Sequence, residues 1–238
     1  MSGPLAAHPP GGYDGQSIER LGRMPHQGSA GGAVTIVNVG YRSTNFWVVS
    51  AGRSRILVDL GWPGMVGELL HALQRADIPL AEICAGFATH YHMDHAGAAQ
   101  DLKARGMPLW VFEEQVAAIP LMRRHVKPRD HYTEIVADGN VVLSCGESRG
   151  RLAALGISGQ VVHTPGHSDD SVSLVLDSGE CFTGDLTLEA MVGDEDPAVV
   201  AESWARLRAL GATTVYPGHG RRYAMVPAAD DTSPRRTR

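Results

Sequence analysis

The segment "ATHYHMDHAG", residues 88–97, places three histidines and one aspartate within six positions. Imidazole and carboxylate groups are ligands for zinc, iron or manganese, whereas histidines crowded together are otherwise hard to supply with hydrogen-bond partners. The i, i+2 spacing lets His90 and His92 reach one ion from an extended loop, while Asp94 and His95 could turn toward a second ion. The segment therefore predicts a metal site.

Three later segments contain side chains of the same kind. His167 lies in "HTPGHS", Asp185 in "TGD" and His219 in "YPGHG". Together with the first four residues they make seven candidate ligands, which is too many for one tetrahedral ion and suits two ions that share a bridging ligand. The three cysteines do not have the spacing of a zinc site, and Cys84 and Cys181 are expected to be small core residues.

The candidate ligands all follow predicted β-strands. Helical periodicity predicts helices over 63–77, 95–106 and 197–211, whereas residues 113–158 have no regular pattern. Loops at strand ends can converge on one edge of a layered α/β fold, and rigid strands then hold their geometry. Runs rich in β-branched and aromatic residues predict the strands at 33–40, 44–52, 54–61, 82–88, 108–112, 159–164, 171–177, 180–185 and 213–218.

Composition sets the limits of the domain and argues against some partners. A single domain is predicted over 33–226, between a flexible Gly- and Pro-rich arm at 1–32 and a polar tail at 227–238. The net charge of −5 argues against a nucleic-acid or anionic-membrane partner, which would require a basic surface. Neither a signal-peptide pattern nor an apolar run of ~20 residues is present, so a cytoplasmic protein is expected.

The order His-x-His-x-Asp-His, "PGH", "TGD" and "PGHG" resembles the metallo-β-lactamase superfamily, from about residue 33 to about residue 226. The resemblance implies a single-domain, four-layer αββα sandwich of the α/β class with a dinuclear site at one edge. Asp59 in "VDLG" matches an acid that would orient a ligand without binding metal. By motif, one ion would take His90, His92 and His167, the other would take Asp94, His95 and His219, and Asp185 would bridge them.

The activity implied by the resemblance is hydrolysis. A hydroxide bridging the two ions would attack the carbonyl of a small ester, thioester or lactone, with Asp94 and Asp185 as the catalytic carboxylates. The implied cofactor is two zinc ions, with iron or manganese as alternatives. The expected partner is a small-molecule acyl substrate, and a homodimer is left open.

Departures from individual subfamilies narrow this expectation. The sequence is similar to glyoxalase II in its ligand motifs, but "LTLEAMVGDED" replaces the glycine-aromatic stretch after the aspartate, and the 19 residues after His219 leave no room for a C-terminal helical domain. It is also similar to small lactonases, although Ala98 stands where a second glycine is usual. Asp185 argues against a true β-lactamase, which does not use this aspartate as a ligand.

An oxidative alternative has the same fold. Persulfide dioxygenases bind one iron with residues that would match His90, His167 and Asp185, but they carry a glycine-arginine signature that is missing here. The choice between a dinuclear hydrolase and a mononuclear iron enzyme therefore depends on metal content.

A basic segment within the irregular region is a candidate for substrate recognition. "PLMRRHVKPRDHY" contains Arg123, Arg124 and His125, which are predicted to form part of a lid that meets an anionic or polar substrate end. The alternative is a solvated basic surface with no role at the site.

Overall fold

The computed structural model describes residues 34–225, so the predicted arm at 1–32 and tail at 227–238 lie outside the described residues. The first of two sheets has six strands in chain order, antiparallel from the first strand to the third and parallel from the third to the sixth. Its strands are β1 (Thr35–Asn38), β2 (Trp47–Ala51), β3 (Ser54–Val58), β4 (Ile83–Phe87), β5 (Leu109–Phe112) and β6 (Asn140–Leu143).

The second sheet has five strands in the order β11-β10-β9-β8-β7. The neighbouring strands β9 and β10 are parallel, and the other three neighbouring pairs are antiparallel. The strands are β7 (Gly159–His163), β8 (Val172–Leu176), β9 (Glu180–Gly184), β10 (Thr214–Pro217) and β11 (Tyr223–Ala224).

Alternation along the strands explains why the two sheets stack. In β2, Trp47 and Val49 belong to the core between the sheets, whereas Val48 belongs to the core on the helical side of the first sheet. Phe87 and Phe112 are fully buried between the sheets and meet edge to face, with ring centroids 5.5 Å apart. Successive strand residues point to opposite faces, so each strand contributes to two apolar layers.

Helices cover the outer faces of both sheets. The helix α1 (Val66–Arg75) buries Leu69, Ala72 and Leu73 against the first sheet, next to α2 (Met93–Ala96) and α3 (Ala99–Lys103). The helix α4 (Cys145–Ala154) packs on β7 and buries Leu152 in the core between the sheets. The helix α5 (Pro197–Ala209) packs Val200, Trp204 and Leu207 against the outer face of the second sheet. The architecture is the expected αββα sandwich. No helix within residues 34–225 is long and apolar enough to cross a membrane.

The structure corrects two of the expected elements. The region 113–158 contains β6 and α4 in addition to irregular turns, and the helix expected over 95–106 is divided into α2 and α3. The apolar pattern of α4 is weak, since only Ser148 and Leu152 are buried along it. Its start is nevertheless visible as Ser-x-x-Glu, because the Glu147 carboxylate accepts a hydrogen bond from the backbone N–H of Ser144 at 2.8 Å.

The cysteines follow the expectation for structural thiols only in part. Cys181 is buried in the outer core of the second sheet, whereas Cys84 and Cys145 are half-buried. All three are free thiols. Trp110, Phe112 and Met122 are buried in the cores, so their side chains contribute to packing.

Candidate metal centre

Parallel strands bring the candidate ligands to one edge of the sandwich. The loop with His90, His92, Asp94 and His95 follows β4, whose parallel neighbour β3 is followed by Asp59. In the second sheet Asp185 follows β9 and His219 follows its parallel neighbour β10, while His167 lies in the loop between β7 and β8. The loops after β9 and β10 are held together because Gly218 N–H donates to the Gly184 carbonyl at 2.7 Å.

The structure brings all seven candidate ligands together. They form overlapping groups of three, and the nitrogen or oxygen atoms within each group lie no more than 4.8 Å from one another. His90 and His95 are buried, whereas His92 and His219 are exposed, so the cluster is open on one side. The groups are His90, His92 and His167; His90, His95 and Asp185; and Asp94, His95 and His219.

The imidazole rings are oriented by partners that lie outside the cluster. Three rings contact these partners through Nδ1, which leaves Nε2 directed into the cluster. The contacts are His90 with Thr89 Oγ1 at 3.2 Å, His95 with Asp59 Oδ2 at 3.0 Å, and His219 with the Ser43 carbonyl at 2.6 Å.

The Asp185 carboxylate reaches both sides of the cluster. Its Oδ1 lies 3.3 Å from His95 Nε2, and its Oδ2 lies 3.4 Å from His219 Nε2 and 3.7 Å from His167 Nε2. His167 Nε2 in turn lies 3.0 Å from His92 Nδ1. The Asp185 carboxylate thus lies within reach of both His167 and the pair of His95 and His219, and its role as a bridging ligand, which the family resemblance implies, stays a prediction.

Burial and neighbouring charges shift the pKa values of the histidines and aspartates in the cluster. Burial and the neighbouring imidazoles of His95 and His92 lower the pKa of His90 well below its usual value, so this ring is neutral. Burial opposes the charge on His95, but the Asp59 and Asp185 carboxylates outweigh it and raise the pKa of His95 well above its usual value. Burial also opposes the charge of Asp94 and of Asp185, and the adjacent His95 reverses this and lowers the pKa of both carboxyls.

The buried polar atoms of the cluster fit a cation. His90 Nε2, His95 Nε2 and Asp185 Oδ1 are buried and have no hydrogen-bond partner within the described part of the chain. A buried polar group without a partner costs about 1–3 kcal/mol, and these three belong to a single ligand group. Since the donors are nitrogen and oxygen only, the cluster suits zinc, iron or manganese.

Asp59 is the most deeply buried carboxylate of the site, with 1% of its surface exposed. Its Oδ1 accepts hydrogen bonds from the backbone N–H of Thr89 at 2.7 Å and from the Thr89 hydroxyl at 2.9 Å. Its Oδ2 contacts His95, so Asp59 stands outside the ligand groups and orients one of their rings.

Several residues that position the ligands are absent from the sequence prediction. Asp170 Oδ2 accepts from the backbone N–H of Tyr91 at 2.7 Å, between His90 and His92. The Thr44 hydroxyl donates to Asp94 Oδ2 at 3.1 Å. The sequence offered a signal for Asp170, which follows His167 by three residues, but none for Thr44, which is 50 positions from its partner.

The predicted lid residues make no hydrogen bond or ion pair with a candidate ligand within the described part of the chain. Arg123, Arg124 and His125 are exposed on a 3₁₀ helix, Ile119–His125, and Arg123 lies 3.3 Å from the Glu134 carboxylate. Arg123 also lines a cavity of about 250 Å³ whose walls include none of the seven candidate ligands. Their role as a lid stays a prediction.

Known proteins share both the sequence pattern and the fold. The atrochrysone carboxyl ACP thioesterase of Aspergillus fumigatus is 29% identical over 181 residues, covering 75% of this chain and 51% of that protein. The beta-lactamase-like protein 2 homolog of Drosophila melanogaster is 28% identical over 183 residues, covering 75% of this chain and 59% of that protein. The chain thus spans little more than half the length of these curated relatives.

Solved structures give the same result for the fold. The crystal structure of TTHA1623 in a di-iron-bound form has a TM-score of 0.63 and 25% identity, covering 80% of this chain and 94% of that one. TTHA1429 from Thermus thermophilus, a metallo-beta-lactamase family protein, has a TM-score of 0.62 at 21% identity, covering 80% of this chain and 74% of that one. The sequence model of the metallo-beta-lactamase superfamily matches residues 39–219, and this chain therefore belongs to that superfamily.

Proposed function

We propose that the chain is a dinuclear metal-dependent hydrolase whose preferred substrate is a small acyl thioester. The observation that carries the proposal is the convergence of seven candidate nitrogen and oxygen ligands into groups of three, two of which have no residue in common. One site consists of His90, His92 and His167, the other of Asp94, His95 and His219, and Asp185 lies between them.

The protein contributes charge and orientation to the reaction. Two divalent ions bound in these groups would supply a nucleophilic hydroxide at neutral pH and polarise the substrate carbonyl. Asp94 and Asp185 have lowered pKa values and are ionised at neutral pH, so they balance the charge of the cations. The side chains of His92 and His219 are exposed and mark the side from which a substrate enters.

The ionised Asp94 carboxylate limits which leaving groups suit this centre. Its Oδ2 lies 3.2 Å from His219 Nε2 and 3.4 Å from His95 Nε2, at the open end of the cluster. A thiolate leaving group requires little protonation, because a thiol has a pKa of about 8.5. Because its pKa is lowered, Asp94 is ionised at neutral pH and has no proton to donate, which is compatible with a thiolate leaving group and unfavourable for a leaving group that must be protonated.

The preference for a thioester over an ester or lactone has support from the relatives. Two of the similar proteins, from Aspergillus fumigatus and Aspergillus chevalieri, are named atrochrysone carboxyl ACP thioesterases. A carrier-bound or small soluble acyl thioester is therefore the first substrate class to assay.

Elemental mass spectrometry of the purified protein, before any chelator is added, is the first test. We expect about two ions per chain. Activity is then measured on acyl thioesters, aryl esters and acyl-homoserine lactones, with β-lactams as a control. We expect the highest kcat/KM on thioesters, and loss of turnover in H90A and D185N.

Other outcomes would overturn parts of the proposal. About one iron per chain, together with oxygen uptake on a persulfide, would replace the hydrolase by the mononuclear iron enzyme of the same fold. Two ions with lactone turnover far above thioester turnover would keep the dinuclear site and contradict the substrate class.

A further inference from the structure

We propose that the 43–45 segment, Ser43 to Asn45, positions one of the two ligand groups and leaves the other unaffected. The group concerned is Asp94, His95 and His219. The inference rests on the proposed function insofar as it assumes that this group binds an ion. It assigns Thr44 and Asn45 as positioning residues, since both act through the ligands and neither belongs to a ligand group.

Thr44 fixes the rotation of the Asp94 carboxylate. The buried Thr44 hydroxyl, with 2% of the residue exposed, donates to Asp94 Oδ2 at 3.1 Å. The same oxygen lies 3.2 Å from His219 Nε2 and 3.4 Å from His95 Nε2. The hydroxyl therefore holds the oxygen around which this group is assembled, and it approaches from outside the group.

Ser43 determines which nitrogen of His219 is free. The Ser43 carbonyl lies 2.6 Å from His219 Nδ1, and because a carbonyl can only accept, Nδ1 must carry the proton. The lone pair of His219 Nε2 is then available on the side of Asp94 and Asp185. This contact is made by the backbone, so it depends on the position of the segment as a whole.

Asn45 holds the 43–45 segment in place through hydrogen bonds to the loop that carries His219. Its backbone N–H donates to the Gly218 carbonyl at 2.7 Å, and its side-chain amide donates to the Pro217 and Gly220 carbonyls, both at 2.9 Å. The Asn45 amide oxygen accepts in turn from Asn38 Nδ2 at 2.8 Å. The loop is thereby bracketed on both sides of His219.

The other ligand group is oriented by different residues. Thr89 Oγ1 contacts His90 Nδ1, and Asp170 holds the backbone of Tyr91 between His90 and His92. Among the candidate ligands, the contacts of the 43–45 segment described above reach only Asp94 and His219 with its loop. A change at Thr44 is therefore expected to weaken one ion site selectively.

The test compares Thr44→Val, which removes the hydroxyl at nearly constant volume, with Thr44→Ser, which keeps it. Thr133→Val is a matched control, because the Thr133 hydroxyl also donates to a carboxylate, Asp101 Oδ1, at 3.1 Å. Zinc affinities of the chelator-stripped full-length protein are measured by competition with a chromophoric chelator. Thermal unfolding of each stripped variant shows whether it is folded.

The selectivity is measured in backgrounds that retain one site. The H92A background disables the His90, His92 and His167 group, and in it we expect T44V to weaken zinc binding by about 10-fold. Loss of a residue that orients a metal ligand typically weakens metal binding by about 10- to 100-fold, and this is the lower end of that range. In H219A, which disables the other group, T44V is expected to have no effect. T44S and T133V are expected to bind zinc like their parent proteins. Asn45→Ala in the H92A background should weaken binding in the same direction.

The results separate this inference from the proposed function. Failure of the unmodified chain to bind two zinc ions would overturn the dinuclear proposal itself. Two ions in the unmodified chain, with equal zinc affinity for T44V and its parent in the H92A background, would overturn only the role of the 43–45 segment. An equal loss in the H92A and H219A backgrounds would also overturn it, since the effect would then be a general loss of structure.

Discussion

Replacing Asp59 by asparagine tests whether the hydrogen bond from Asp59 to His95 supports metal binding. The change removes the negative charge and keeps the size of the side chain. Asp59 has a left-handed backbone, with φ of +66°, and asparagine tolerates this conformation better than most residues. The loop after β3 therefore keeps its path. The effect of the substitution is confined to the hydrogen bonds with Thr89 and His95.

Asparagine can satisfy Thr89 in only one arrangement. The backbone N–H of Thr89 can only donate, so the amide oxygen must take the place of Oδ1, and the amide nitrogen then faces His95 Nδ1. His95 would accept on Nδ1 and carry its proton on Nε2, the atom directed at Asp94 and Asp185. A protonated nitrogen cannot bind a metal ion.

The expected loss of zinc affinity follows from a conflict over the position of the His95 proton: the asparagine amide favours the proton on Nε2, whereas a bound ion requires it on Nδ1. Binding an ion would move the His95 proton back to Nδ1, opposite the amide nitrogen of the new side chain, and leave a buried donor without an acceptor. That costs about 1–3 kcal/mol. It corresponds to roughly 5- to 150-fold weaker binding. The effect should fall on the group of Asp94, His95 and His219.

The assay is zinc titration of chelator-stripped D59N against a chromophoric chelator, with elemental analysis of the bound metal. Asp177→Asn is the control, because Asp177 is an exposed carboxylate that contacts Arg149 at 3.0 Å and has no part in the cluster. Wild-type zinc affinity at both sites of D59N would refute the tautomer argument. Equal weakening in D177N would show that the effect is not specific to Asp59.

Four further predictions concern the site and its surroundings. Gly218→Ala should lose at least one bound ion, because a Cβ at this position would lie 2.5 Å from Asp185 Oδ1 and 2.6 Å from His95 Cε1. Elemental analysis measures the bound metal, and two retained ions would contradict this prediction. Adding zinc to stripped protein at 100 times the dissociation constant should raise the melting temperature by about 5–10 °C in a calorimeter, and an unchanged value would exclude zinc binding to the folded state. Burial raises the pKa of the Cys181 thiol to about 12, so its alkylation should be slow at pH 8 and faster as the pH rises. Mass spectrometry follows the labelling, and rapid labelling at pH 8 would contradict the burial of this thiol. Arg123→Ala with Arg124→Ala should raise KM for an anionic thioester several-fold if these residues form a lid, and an unchanged KM would assign them to a solvated surface.

The elements that sequence patterns predicted well are those with strong periodicity. The strands β2, β3 and β8 are buried on both sides, and their runs of β-branched residues are unambiguous. The helix α4 was missed because glycines at 146 and 150 and a mostly exposed surface leave little apolar pattern. Its burial depends on contact with β7, which no local pattern contains.

The chemistry of the ligands was determined by the sequence alone. Four of the seven candidates lie within six positions, and the other three occur in short glycine-containing motifs after strands, so residue type and order were sufficient to predict them. Only the tertiary structure decided which atoms meet, which ring nitrogen carries the proton, and which residues hold each ligand from outside. Apart from the contact of Thr89 with its neighbour His90, the contacts that hold the ligands from outside join residues 30 to 176 positions apart, such as Asp59 with Thr89 and Ser43 with His219. Long-range contacts of this kind arise when separate strands pack edge to edge, and a local sequence pattern carries no trace of them.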